Sequence, residues 1–400
     1  MTNVQDQSSN RLDSSSWTTV KLGDVVSHLQ EIERKAEEAG LERFLKVEHF
    51  DTERLTIDRW GEIAEEDLPP TFYKVFRAGQ ILYPTRNPHL RRTAVASFDG
   101  ICGEKTLTLQ SNGNINSQLL PYIFQTEAFI DYATSMSIGS TNPHVRWRDI
   151  AAYQFAIPDS NTQLIIAKIL RASDDVIELY AKARVHCEKA LSTIRASLFS
   201  QAAKTYRLVP LREAGNWCSG GTPSKNNREY WGGDFPWISP KDMKSDVIEG
   251  TIDGLTEAAL TDRVIRIPQD SILIVVRGMI LAHSFPIALT GCEATFNQDM
   301  RALVPSVDFA PLFLFHWFHW HKRRLLNLVT ETTHGTKRLP TDILHCESVP
   351  KPPLSDQEEI VCKLEAFRQH VNDLNIHIER CTSFKRSILN NLFSGNINDV

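Results

Sequence analysis

Two stretches of this chain carry apolar residues at alternating steps of four and three, and no other feature restricts the fold so tightly. The later one runs Ile360, Leu364, Phe367, Val371, Leu374, Ile378, Cys381, Lys385, Ile388 and Leu392, with Lys385 breaking the apolar seam. The earlier one runs Ile166, Leu170, Ser173, Ile177, Tyr180, Arg184, Cys187, Leu191, Ile194 and Leu198, less apolar but in the same phase. A 3.5-residue period held over about four heptads marks a coiled coil. The spacing predicts helices over 163–200 and 357–394, each roughly 50 Å long at about 1.5 Å per residue. Ser160 or Thr162, and Ser355 or Asp356, are the candidate N-caps. A helix with one apolar stripe must cover it, and two matching helices can cover each other in an antiparallel pair. The alternative is that each packs on its own globular part, against which stands the rarity of such long heptad phase in globular helices.

The seams belong to a larger duplication. Trp17-x-x-Val20-x-Leu22 is answered by Tyr206-x-x-Val209-x-Leu211, and Ile81-Leu82-Tyr83-Pro84-Thr85-Arg86 by Ile272-Leu273-Ile274-Val275-Val276-Arg277. Gly139-Ser140-Thr141 with Asp149-Ile150 is answered by Gly335-Thr336 with Asp342-Ile343, and IRASLFS (194–200) by ILNNLFS (388–394). Four matches in order, at a nearly steady offset of about 190 residues, describe two diverged copies. The chain then reads as a disordered polar leader (1–16), a globular part (17–158), a helix (159–203), a second globular part (204–352) and a second helix (353–396). Each globular part reads as a small α+β domain, in which β-rich runs such as Thr106–Leu109 and Ile272–Val276 alternate with helical stretches such as Ser27–Glu38 and Leu312–Leu328.

Charge and cysteine content narrow the setting. A net charge of −5 is low for a nucleic-acid binder, so any basic surface must be local, or a partner must supply part of the field. Seven scattered cysteines, never in CxxC spacing, fit reduced thiols in a cytoplasm and speak against a disulfide framework or structural zinc. No 18-residue apolar run exists to span a membrane.

Basic residues cluster in loops. Residues 216–243, NWCSGGTPSKNNREYWGGDFPWISPKDM, set a polar SKNNRE segment between two glycine pairs and three tryptophans. Gly220-Gly221 would open the backbone, Trp231 and Trp237 would stiffen the loop, and Ser224, Lys225, Asn226, Asn227 and Arg228 would face phosphates or bases. The competing reading makes the same residues a solvated domain entrance. Arg86, Asn87, His89, Arg91 and Arg92 form a second candidate DNA-binding loop, and Arg146 and Arg148 flank Trp147. Arg277, Lys337 and Arg338 are further candidates, Arg277 being the counterpart of Arg86. Arginine and asparagine suit bidentate contacts to guanine, adenine or phosphate. His316, His319 and His321 invite a metal reading, but no acid or cysteine near them in sequence completes a ligand set, so aromatic packing is the expectation. No phosphate loop or dinucleotide glycine turn is present, and Asn142-Pro143-His144 carries only part of the Asn-Pro-Pro-aromatic element of adenine methyltransferases. A fused methyltransferase or nuclease is thereby disfavoured. A paired coiled-coil scaffold that binds protein rather than DNA remains an alternative.

SGGTPSKNNREYWGGDFPWISPKDM, VVRGMI, FNQDMRAL, HGTKRLPTDIL and VPKPPLSDQEEIVCKL occur in that order in the second copy. Together they resemble the specificity subunit of type I restriction–modification systems, over about 17–395. The first copy matches less well: its helix opens IPDSNTQLIIAKIL, without the PPL, and sets Thr162 against Gln357. The resemblance implies two target-recognition domains, each reading half of a split, asymmetric double-stranded DNA site, with the helices as an antiparallel spacer. It implies a non-catalytic subunit with no cofactor of its own. Its partners would be two modification (methyltransferase) subunits, using S-adenosylmethionine, and restriction (helicase–nuclease) subunits, using ATP and Mg.

Overall fold

The computed structural model describes residues 17–260, 264–331 and 335–393; the leader and residues 394–396 of the expected second helix lie outside them. The chain divides into two compact units, Met1–Ala181 with Asn375–Val400, and Lys182–Leu374. Both divisions fall inside long helices, Ser160–Thr205 of 46 residues and Leu354–Phe393 of 40. Each unit therefore holds one globular part and a piece of both helices.

The globular parts are built alike. In the first unit a four-stranded antiparallel sheet runs in the order Val26–Leu29, Thr106–Ser111, Ile81–Pro84, Ala94–Val95. In the second, the order is Gly215–Ser219, Met300–Pro305, Ile272–Val275, Ile287–Thr290, and then Val247–Ile248 at the edge. The central strands, ILYP and ILIV, are buried at every position, which explains why they read as unbroken apolar runs rather than alternating ones. A smaller sheet accompanies each. In both, a short parallel pairing is made, Phe44↔Ile101 in one and Trp237↔Thr295 in the other. Residues 27–38 form no helix: Val26–Leu29 is an edge strand pairing with Thr106–Ser111, followed by irregular chain and turns. In QEIERKAEE, cross-strand bonds from Glu33 N to Tyr73 O (2.9 Å) and from Val75 N to Glu31 O (3.0 Å) hold the first residues extended despite their helical composition. The helix expected at 312–328 spans Pro311–Asn327 and buries Phe313, Leu314, Phe315, His316, Trp317 and Phe318.

The long helices start with side-chain clamps. Asp159, not Ser160 or Thr162, caps the first, accepting from the amides of Asn161 (2.9 Å) and Thr162 (3.2 Å). One turn in, buried Gln163 donates to Pro158 O (2.8 Å) and accepts from the Asn116 amide (2.8 Å). Gln357 does the same in the second unit, donating to Pro352 O (2.9 Å) and accepting from the Ala310 amide (2.9 Å). The counterpart of Gln357 is thus Gln163, and the departure assigned to Thr162 disappears. Asp356 accepts from the Tyr206 hydroxyl and Ser355 donates to Asp356, so neither offers its side chain to the helix amides.

Every residue of the two expected seams is buried or half-buried. In the first unit Ile166 and Leu170 share a core with Leu389 and Phe393, and Tyr180 stacks on His377 at 5.1 Å, as antiparallel helices require. In the second, Leu191 and Phe199 share a core with Ile360 and Leu364. The repeated LFS motif places Phe393 against Trp17 (5.8 Å) in one unit and Phe199 against Phe313 (5.0 Å) in the other. Both phenylalanines lie off the heptad register and face the globular cores.

A polar cluster sits where the helices meet each globular part. In the first unit Lys385, 4% exposed, donates to Asp174 (2.7 Å) and to Glu53 O (3.2 Å), and Asp174 also accepts from the Tyr122 hydroxyl (2.8 Å). The break in the seam is a paired charge. In the second unit Arg195 donates to His316 Nδ1 (3.3 Å), which leaves Nε2–H to donate to Glu365 (2.8 Å). Arg368 binds Glu365 through two nitrogens (2.7 and 2.5 Å) and approaches Asp246 at 3.6 Å. An acid therefore does reach His316, from a distant helix. Burial lowers the pKa of His316 and keeps it neutral, and among the described residues no group of three His, Cys, Asp or Glu could hold a metal.

Candidate nucleic-acid interface

The tryptophan-framed loop is held by its indoles. Trp231 Nε1 donates to Ser224 O (3.2 Å), Trp237 Nε1 donates to Gly221 O (3.0 Å), and the two rings meet edge-on at 5.0 Å. Gly220 is needed for close approach, since a Cβ there would lie 2.1 Å from Asn297 O. The neighbouring amide is not open to a ligand, because Gly221 N donates to Phe296 O (2.9 Å). Of the paired glycines only Gly232 takes a positive φ, at 86°. Asn227 spends its side-chain oxygen capping the one-turn helix Arg228–Tyr230, accepting from Glu229 N (3.1 Å). Ser224, Lys225, Asn226 and Arg228 project into solvent.

The first unit's loop is partly committed to its own fold. Arg91 pairs with Glu127 and with Glu53 (3.4 Å), and its side chain is 18% exposed. Its backbone and that of Asn87 are left-handed, at φ 53° and 52°, bracketing the turn Pro88–Leu90. Arg91 anchors this loop and is removed from the candidate DNA contacts. Arg92 is half-buried, with its Nε enclosed. Arg146 chelates Asp149 (2.6 and 3.2 Å), holding that carboxyl below its usual range chiefly through this hydrogen bond, and Arg148 lies 3.6 Å from the same acid. Both guanidiniums are exposed although Asp149 is half-buried, so a phosphate can reach them from solvent. Lys337 pairs with Glu331 (2.5 Å).

Arg86 and Arg277 differ from these. Each is exposed at the end of its unit's central strand, and neither has a carboxylate partner among the described residues. Arg86 is bridged to His144 and Arg277 to Arg338, in antiparallel sense. Exposed His89 and Arg338 also lack acidic partners among the described residues. Arg301, absent from the sequence reading although FNQDMRAL contains it, lies half-buried on the adjoining strand and donates to Met300 O (2.9 Å). Its pKa is lowered by burial and then by Arg338 and Arg277. The only sequence signal for it was an arginine in a strand of otherwise apolar residues.

A family model described as Type I restriction modification DNA specificity domain matches the chain twice, over residues 14–185 and 204–380. A 221-residue segment is 32% identical to the specificity subunit of a type I restriction enzyme of Escherichia coli. That segment is 54% of this chain and 55% of that subunit, so the match spans about half the relative's length. The type I restriction–modification S subunit of M. genitalium superposes with a TM-score of 0.55 at 15% identity, over 96% of this chain and 98% of that one. A chain from a type I restriction–modification system, solved for its complex assembly and conformational transition, gives 0.54 at 17% identity, over 96% and 99%. At such identities the likeness is one of fold. Among the described residues no helix is long and apolar enough to cross a membrane.

Proposed function

Because the chain belongs to the type I restriction–modification DNA specificity family, we propose that it is a non-catalytic recognition subunit whose two units each read half of a bipartite, asymmetric double-stranded DNA site. The paired helices set the gap and dock two methyltransferase subunits, to which restriction subunits add. S-adenosylmethionine, ATP and Mg belong to those partners. The observation that carries the reading is the recurrence, at the same strand end of two units built alike, of an exposed arginine, Arg86 and Arg277, that has no acidic partner among the described residues. The units differ in the segment that follows the first strand of the main sheet. Residues 30–42 of the first unit carry Glu31, Glu33, Glu37, Glu38 and Glu42 against Arg34 and Lys35, a net negative segment, whereas 220–230 of the second carry Lys225 and Arg228 against Glu229, a net positive one. Two unlike surfaces suit two unlike half-sites.

Binding to a randomised bipartite duplex, with modification subunits present, tests it. Alanine at Asn87 and His89 should impair selection of one half-site, and alanine at Lys225, Asn226 and Arg228 the other. A base-reading residue should cost about 1–3 kcal/mol at one position. Loss of selection at both half-sites from either set, or at neither from both, would refute the division.

A further inference from the structure

Two cross-strand contacts set an arginine opposite a second nitrogen-rich side chain, at the same point of each copy. In the second unit Gly278 N donates to Lys337 O (3.0 Å) and Leu339 N to Val276 O (2.9 Å). These bonds flank Arg277 and Arg338, making them a non-hydrogen-bonded antiparallel pair, the arrangement in which facing side chains come closest. In the first unit Asn87 N donates to Pro143 O (2.8 Å) and Val145 N to Thr85 O (3.1 Å), flanking Arg86 and His144 in the same way. Like charges directly opposite destabilise a strand pair, so the arginine pair is costly unless an anion joins it. Arg301 adds a third guanidinium. Its strand pairs with the central one at Ile274↔Arg301, whereas the matching register in the first unit is Tyr83↔Leu107. No carboxylate pairs with Arg277, Arg301 or Arg338 among the described residues.

We propose that Arg277, Arg301 and Arg338 form a seat for the phosphate backbone of duplex DNA in the second unit, and that Arg86 and His144 form a weaker counterpart in the first. The proposal rests on the DNA-recognition reading above and assigns these side chains to backbone positioning rather than base readout. Neither His144 nor Arg301 was among the expected contacts. Arginine suits the role because its fork of donors stays charged and matches phosphate oxygens in two-point contact.

The unlike copies supply the test. Arg338→His and Arg301→Leu give the second unit the residues that stand at these places in the first, where the fold accommodates them. Affinity of the full chain, with its modification subunits, is measured against salt concentration on a duplex carrying the selected site and on duplexes mismatched in either half. Each lost phosphate contact reduces the slope of log K against log salt by about 0.9, so the double variant should lose about 2. The loss should be the same on matched and mismatched duplexes, and Arg338→Lys should retain the slope. An unchanged slope, or a loss confined to one base position, overturns the seat. Failure of the unaltered chain to prefer any duplex sequence overturns the recognition reading instead, whatever the slopes.

Discussion

The two helix–domain junctions solve one problem with different chemistry. In the first unit a single deeply buried ammonium, Lys385, depends on a single carboxylate, Asp174, with Tyr122 and Glu53 O completing its surroundings. In the second, two guanidiniums, a neutral histidine and two carboxylates share the load: Arg195, His316, Glu365, Arg368 and Asp246. A one-to-one pair concentrates the risk of desolvation on one contact, whereas a network spreads it. The units should therefore fail differently when a partner is removed.

Asp174→Ala should have the largest effect, destabilising the first unit by about 3–5 kcal/mol, because it leaves Lys385 buried without a counter-charge. Glu365→Gln should cost the second unit less, about 1–3 kcal/mol, since His316 is neutral and Arg368 retains Asp246. Unit-resolved hydrogen exchange under urea measures both, and equal losses would show that the junctions are energetically alike. Acid should separate the units next. Burial lowers the pKa values of His316, His319 and His321, that of His321 to about 4. Burial acts to raise Glu365, yet hydrogen bonds from His316 and Arg368 outweigh it and hold the carboxyl at about 2. In each case the unfolded state binds more protons, so the stability contributed is complete above the unfolded pKa and is lost as pH falls through the folded one. The second unit should accordingly open first between about pH 6.5 and 4, the first unit's lowered histidines, His28 and His49, being less buried. Exchange protection that collapses first in the first unit would reverse this order. Smallest is Arg146→Ala: its pair with Asp149, in which the guanidinium is exposed, should contribute less than about 1 kcal/mol to thermal stability, and a larger loss would make that pair part of the fold.

The helices were legible because side-chain period translates directly into helix face; all the seam residues from Ile166 to Leu392 are covered. The break at Lys385 was visible too, but its partner was not, since Asp174 lies 211 residues away and no local pattern joins them. A separation of 49 residues likewise hid Glu365 from His316. Residues 27–38 misled because their strand depends on a neighbour, Thr106–Ser111, that composition cannot reveal. Among the basic loops, sequence marked where positive charge collects but not which charges are already spent. Arg91 and Lys337 are bound to acids, while Arg277 and Arg338 face each other. Arg301 went unseen because one arginine in an apolar strand looks like an exception until the adjoining residues are placed.

The division of the chain also has a consequence for synthesis. The second unit is continuous, Lys182–Leu374, and has all its parts once that stretch has left the ribosome. The first unit is discontinuous: Leu389 and Phe393 complete the core that holds Trp17, Leu22 and Ile166. Domains commonly mature from the N-terminus onward during translation, but here the unit that begins first is finished last. Until Asn375–Phe393 emerges, the apolar face of Ile166 and Leu170 lacks its closing helix, and that nascent interval is when the chain is most open to aggregation.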